Sequence, residues 1–278
     1  MNPTRSGFAD INGASLYYEV AGVGEPLVML HGHLVDCRQW DDQFAQFGAT
    51  HTVVRYDARG MGQSNFPAAP FSHASDLRAL LAFLQIEHAV LMGCSGGGGA
   101  CIDFALLHPG MVDGLILVGS GLSGYQMDAQ GPMPAVMVAY VDALRSGDTE
   151  RAVELSLSIF TDGPRRRPEQ VNAAARAKTR AMSVPLFARL TPPEAAPQGL
   201  TPPASERLGD IHAPTLVITG GEDNAMIQDI AAILLAQMPG AKAVVIPDAG
   251  HHPNLEHPKR FDQIVAAFLS DVPPHETR

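Results

Sequence analysis

Apolar residues in this chain follow two alternating rhythms. Continuous runs, Pro26-Leu27-Val28-Met29-Leu30, Val53-Val54, Ala89-Val90-Leu91-Met92, Leu115-Ile116-Leu117-Val118, Thr215-Leu216-Val217-Ile218 and Ala243-Val244-Val245-Ile246, predict strands buried on both faces. Other apolar residues recur at helical spacing: Leu77, Leu80, Leu81 and Leu84; Cys101, Ile102, Ala105 and Leu106; Phe261, Ile264, Val265, Phe268 and Leu269. Near the start, residues 8–12 and 15–20 read as a hairpin turning at Asn12-Gly13, a strong two-residue turn signal. Strands alternating with helices predict an α/β fold, a doubly wound and mostly parallel sheet. No internal repeat is visible.

Residues 122–209 break this rhythm. They contain no convincing strand, and their spacing predicts helices over 133–146, 149–161 and 169–183, the second capped by Asp148. Five prolines over 191–203 follow as a stiff connection. The expected organisation is a core of residues 1–121 and 210–278 with residues 122–209 inserted as a helical lid above the carboxyl ends of the strands, where such sheets bind ligands. Met133, Met137, Tyr140, Val141, Phe160 and Phe187 are its apolar groups, most of them expected to pack the lid on the core. Arg165-Arg166-Arg167, flanked by prolines, reads as a solvated loop, with an anion clamp as the alternative.

Composition narrows the classes. A chain of 278 residues, 46% hydrophobic, buries a large core. A formal charge of −10 argues against a nucleic-acid or anionic-membrane partner. Cys37, Cys94 and Cys101 show neither metal nor redox spacing and fit a reducing compartment. No apolar stretch follows the N-terminus, and no run approaches the ~20 apolar residues that span a bilayer, so a cytoplasmic protein is expected. No metal and no cofactor are expected, and the oligomeric state is not legible.

The chemistry centres on Gly93-Cys94-Ser95-Gly96-Gly97, a Gly-x-Ser-x-Gly set between a strand and a helix. A tight turn there raises the Ser95 hydroxyl, and the helix N-terminus points its N–H groups at negative charge forming beside it. The motif alone also fits an ordinary glycine-rich turn, so the partners decide. A serine nucleophile needs a base, and the base an orienting acid. Glu222-Asp223 follows the strand at 215–218, and Asp248-Ala249-Gly250-His251-His252 follows the strand at 243–246. Both loops leave the carboxyl ends of strands, where Ser95 stands. Taken singly, Asp223 reads equally as a helix cap and His251 as a loop histidine.

With these motifs the chain resembles the α/β-hydrolase superfamily over nearly its whole length except the lid. The resemblance rests on His31-Gly32 with Trp40 downstream, Asp57-x-Arg59-Gly60-x-Gly62-x-Ser64, the turn at Ser95, His108-Pro109, Gly220-x-x-Asp223 and Gly250-His251. It implies an eight-stranded α/β-hydrolase sheet with Ser95 as nucleophile, His251 as general base and Asp223 as the acid that orients it. It also implies an oxyanion hole from the backbone N–H groups of Gly96 and His33. Family members that open epoxides or displace halide carry Asp where this chain has Ser95, and no carboxylate stands between Gly119-Ser120-Gly121 and Asp128. The glycine run extends to Gly99, through tighter packing or a wider pocket. The expected activity is acyl transfer on a small-molecule carboxylic ester or lactone. A carbon–carbon hydrolase of diketone-like substrates, a cofactor-free dioxygenase and a small-molecule receptor on the same fold are the alternatives.

The neighbouring carboxylates give a direct test. Successive side chains on an extended stretch point to opposite sides, so only one of Glu222 and Asp223 faces His251. Asp223→Asn should lower kcat on an ester by up to ~10⁴-fold, and Glu222→Gln should stay within about tenfold of the parent. If Glu222→Gln is the crippled variant, the acid is misassigned; if neither loses activity, Asp128 is the next candidate.

Overall fold

The computed structural model describes residues 5–65, 70–126, 134–189, 197–273 and 275. Strands β1 (Arg5–Ile11) and β2 (Ala14–Ala21) form the expected hairpin, with φ of 47° at Asn12 and 75° at Gly13, positive values that Asn-Gly accommodates. The remaining strands are β3 (Pro26–Leu30), β4 (Thr52–Tyr56), β5 (Ala89–Cys94), β6 (Val112–Val118), β7 (Thr215–Gly220) and β8 (Lys242–Ile246). They make one eight-stranded sheet ordered β1-β2-β4-β3-β5-β6-β7-β8. Pairs β1–β2 and β2–β4 are antiparallel and all the others parallel.

The unbroken apolar runs follow from burial on two sides at once. Along β3, Val28 and Leu30 enter one core with Leu91, Leu115 and Leu117, while Leu27 and Met29 enter the other with Met92, Ile116 and Val118. Helices α2 (His73–Leu84) and α3 (Gly96–Leu107) cover the first face through Leu77, Leu80, Leu81 and Phe104. Helix α7 (Ala225–Gln237) joins them through Ile230 and Leu234. The second face is covered by α1 (Asp41–Phe47), which the spacing did not predict, and by α9 (Pro258–Asp271). Strand β8 differs from the expectation of a core strand. It forms the sheet edge and is mostly exposed, Val245 to 50%.

Between β6 and β7 the described residues carry helices and no strand: α4 (Ala135–Ser146), α5 (Thr149–Ser156) and α6 (Ala173–Phe187). Met133 and Asp128 lie outside the described residues. The Asp148 side chain caps α5 as expected, accepting from the Arg151 N–H. Helix α5 is shorter than predicted, because the chain loosens into a wider π turn over Leu157–Asp162 that ends at Gly163. Helix α6 starts later than predicted: Asn172 accepts from the N–H groups of Ala174 and Ala175 and sets its first turn. Phe187 packs into the insertion's own small core with Ala143, Val153 and Leu157, and Tyr140 is partly buried against it. A short helix, α8 (Pro253–Glu256), follows β8.

The motif Asp57-x-Arg59-Gly60-x-Gly62-x-Ser64 proves structural. Arg59 forks onto Asp76 of α2 at 2.5 and 2.8 Å and also reaches the Asn12 carbonyl, both side chains 3% exposed. Asp57 accepts from the N–H groups of Cys37 and Gln63. These bonds tie the hairpin, the end of β4 and α2 together.

The glycine run is explained by the seating of α3. A Cβ at Gly97 would lie 2.5 Å from the carbonyl oxygens of Leu30 and His31, and one at Gly98 would collide with Ser120. Gly99 is looser, with the nearest atom, Gly121 O, at 3.4 Å. Gly97→Ala should therefore cost about 2–3 kcal/mol, a Tm loss of roughly 5–10 °C, whereas Gly99→Ala should stay within about 1 kcal/mol of the parent, helped by helix propensity. Equal melting losses in thermal unfolding would show that close approach does not set the cost.

Candidate active site

Three loops meet at the carboxyl edge of the sheet. Ser95 joins β5 to α3 with φ 51° and ψ −118°, outside the conformations an L-residue ordinarily adopts, at a strain of about 1–3 kcal/mol. The end of β6 holds it there: the Ser95 N–H donates to Val118 O at 2.9 Å, and the Ser95 carbonyl accepts from Gly121 N–H at 2.8 Å and Gly99 N–H at 3.0 Å. Between those partners lies Gly119, where a Cβ would stand 3.1 Å from His251 Nδ1 and 3.3 Å from Asp223 Oδ2. The turn that fixes the serine thus also borders the histidine–aspartate pair.

Asp223 and His251 are in direct contact. His251 Nδ1 lies 2.7 Å from Asp223 Oδ2, and the residues are 3% and 2% exposed. An ionised carboxylate only accepts, so in the neutral imidazole the proton sits on Nδ1 and the lone pair on Nε2. The other carboxylate oxygen accepts from the N–H of Asn224 at 2.7 Å and from its side chain at 3.1 Å. Asn224, not Asp223, caps α7, accepting from Ile227 N–H at 3.1 Å. The main chain of His251 is held by the insertion, its N–H donating to Phe160 O at 3.1 Å, and the Phe160 ring lies 5.7 Å from the imidazole. Among the described residues no hydrogen bond joins Ser95 to His251.

The loop after β3 completes the edge. His31 Nε2 accepts from Ala58 N–H at 2.9 Å, which leaves Nδ1 to donate to Gly32 O at 2.7 Å. Gln39 Oε1 accepts from Gly32 N–H at 2.8 Å. This fixes its amide orientation, so Nε2 donates to His252 Nδ1 at 3.3 Å and His252 is neutral. His33 is exposed, with its ring against the start of α3: a Cβ on Gly96 would lie 2.6 Å from His33 Nε2. His31, His33, Tyr56, His73 and Gly96 are among the residues lining a small cavity of about 20 Å³, room for roughly one water. Burial lowers the His73 pKa to about 4, so its wall carries no charge there at neutral pH.

The structure corrects the reading of the arginine run at Arg166. Arg165 pairs with Glu222 at 3.0 Å and donates to Gly221 O at 2.6 Å, while Arg166 is buried against Glu256. Arg165, its side chain 60% exposed, and Arg167 stay at the surface as expected, whereas Arg166, 9% exposed, is neither solvated nor an open anion clamp. The sequence carries no signal for this, since Arg166 and Glu256 are 90 residues apart. Gln39 was missed for a similar reason. An uncharged polar residue shows its role only through the loops it joins.

The family model described as the alpha/beta hydrolase family matches residues 27–264. A 2-hydroxy-6-oxononadienedioate/2-hydroxy-6-oxononatrienedioate hydrolase of Burkholderia vietnamiensis is 31% identical over 272 residues, covering 91% of this chain and 90% of its own. Among solved structures, Est816, described as an N-acyl homoserine lactone degrading enzyme, matches with a TM-score of 0.73 at 27% identity, covering 94% of this chain and all 100% of its own. The esterase RhEst1 from Rhodococcus sp. matches with a TM-score of 0.77 at 26% identity, covering 97% and 99%.

His252 gives a pH prediction. Burial, aided by the adjacent His251, lowers its pKa to about 3. As pH falls below about 6.5, the unfolded chain binds a proton at this site that the folded chain refuses, so stability present above that pH is lost towards about 3. The slope contributed is at most ~1.4 kcal/mol per pH unit. His252→Asn should flatten the fall in stability between pH 7 and pH 5, measured by urea unfolding at each pH. An unchanged slope would mean that His252 protonates freely in the folded protein.

Proposed function

The chain belongs to the alpha/beta hydrolase family, and from that premise we propose that it is a serine hydrolase of uncharged carboxylic esters or lactones, with Ser95, His251 and Asp223 as its catalytic residues. The observation that carries this reading is the buried 2.7 Å bond between His251 and Asp223 beside the strained turn at Ser95. That bond leaves His251 Nε2 as the free base. Ser95 Oγ attacks the acyl carbonyl carbon as Nε2 takes its proton, a contact that tightens once substrate is bound. The tetrahedral oxyanion receives hydrogen bonds from the N–H groups of Gly96 and His33, each worth ~3 kcal/mol of barrier. His251 then gives its proton to the leaving oxygen, and water, deprotonated by the same nitrogen, releases the acid from Ser95.

Charge favours an uncharged substrate. The insertion's cations near the Asp223 and His251 loops are already engaged: Arg165 with Glu222, Arg166 with Glu256, and Arg176 with Asp162 and Glu154. We assign residues 122–209 the role of a cap over the site, supported by the contact of Phe160 with His251. Carbon–carbon bond hydrolysis is the second reading, favoured by the name of the Burkholderia relative, whose substrates are dicarboxylates. An ester panel of varied acyl length, run beside lactones and a vinylogous diketone and scored by kcat/KM, separates the two.

Ser95→Ala should fold normally and lower kcat by ~10⁴-fold or more, because the three groups act as a unit. A fluorophosphonate should label the parent at Ser95 and leave the variant unlabelled. Retention of most hydrolysis in a well-folded Ser95→Ala protein would sink the serine mechanism.

A further inference from the structure

Resting on the serine-hydrolase reading above, we propose that Arg166 and Glu256 are positioning residues for His251: a buried ion pair that clamps the turn at 157–162 onto the loop carrying the base. All five guanidinium N–H groups of Arg166 are used. Nε donates to Asp162 O at 2.8 Å, Nη1 to Asp248 O at 2.8 Å and Glu256 Oε2 at 2.7 Å, and Nη2 to Thr161 O at 2.9 Å and Glu256 Oε1 at 3.1 Å. Glu256 Oε1 also accepts from the Gly250 N–H at 2.6 Å, one residue before the base. The Arg166 and Glu256 side chains are 9% and 1% exposed.

The bonds converge on His251. Its preceding residue is held by Glu256, and its own N–H by Phe160 O, next in the chain to the Thr161 and Asp162 carbonyls that Arg166 gathers. Gly250 permits the approach: a Cβ there would stand 2.5 Å from Thr161 O and 2.6 Å from Arg166 Nη2. Asn172, the cap of α6, adds a third tie by donating to Glu256 O at 3.0 Å. A buried ion pair is poor value as a stabiliser, since apolar replacements of similar size are often neutral or better. Here its hydrogen bonds are spent on the backbone around the imidazole. A drift of about 1 Å at a catalytic group costs on the order of 10² in rate. The loss belongs to the transition state, where His251 moves a proton, and substrate binding is nearly untouched.

The test compares Arg166→Lys, Glu256→Gln and the uncharged double variant Arg166→Met with Glu256→Gln in the full chain. The double variant leaves no unpaired buried charge and is the one most secure in folding. Each protein is melted, titrated to completion with a fluorophosphonate, and assayed for kcat and KM on one ester. The expected result is a folded double variant that still labels to one equivalent, but with labelling rate and kcat down 10- to 100-fold and KM within threefold. A folded variant with kcat within twofold of the parent, or a loss confined to KM, overturns the positioning role. Failure of all three variants to fold assigns the pair to stability alone and overturns it as well. A parent chain that does not label at Ser95 brings down the serine-hydrolase reading and the clamp with it, an outcome distinct from the others because it appears before any substitution.

Discussion

The close approach of α3 to the carboxyl edge of the sheet is the constraint on which the site depends. No Cβ fits at Gly97 between the ends of β3 and the first turn of the helix. Only because the helix sits this deep can the chain turn at Ser95 with φ 51° and remain bonded to the end of β6 on both sides. The first turn of the helix, whose N–H groups lack intrahelical acceptors, then begins directly after that serine. The strain at one residue is sustained by packing that permits no other seating.

Three histidines at this edge take the tautomers their neighbours dictate, two with the proton on Nδ1 and one with it on Nε2. His31 accepts at Nε2 from Ala58 N–H and therefore donates at Nδ1. His251 faces a carboxylate and donates to it. His252, one residue on, accepts from Gln39 and is kept neutral by burial. The hydrogen-bond partner, rather than the residue type, sets what each ring can do. Gln39 links two of these loops through one amide whose orientation is fixed by Gly32.

The interior is stitched by charge where irregular segments cross. Arg59 on Asp76 joins the loop after β4 to α2 and the hairpin, and Arg166 on Glu256 joins the insertion to the last loop of the sheet. In both, the guanidinium also gathers backbone carbonyls that the loops leave without ladder partners. A planar fork with several fixed donors suits that task better than a lysine ammonium. The helices between β6 and β7 are consequently tied to the strand-end loops, with a small core of their own around Val153 and Phe187.

The sequence by itself determined the periodic part of the protein. Unbroken runs such as Leu115-Ile116-Leu117-Val118 signal strands and the Leu77–Leu84 stripe a helix, because periodicity is a local property written residue by residue. Ser95, Asp223 and His251 were legible as candidates from the loops that carry them, in chain order. The exposure of β8 was not legible, since an edge strand and a central one can share the same apolar letters. Nor was the choice of Asn224 over Asp223 as helix cap, or the burial of Arg166 within a run of charge that looks solvated. Those outcomes rest on contacts between residues far apart in the chain, such as Arg166 with Glu256 and Gln39 with His252. Only the tertiary structure decides them, because a polar group's partner is set by where the backbone brings its neighbours rather than by its own position in the sequence.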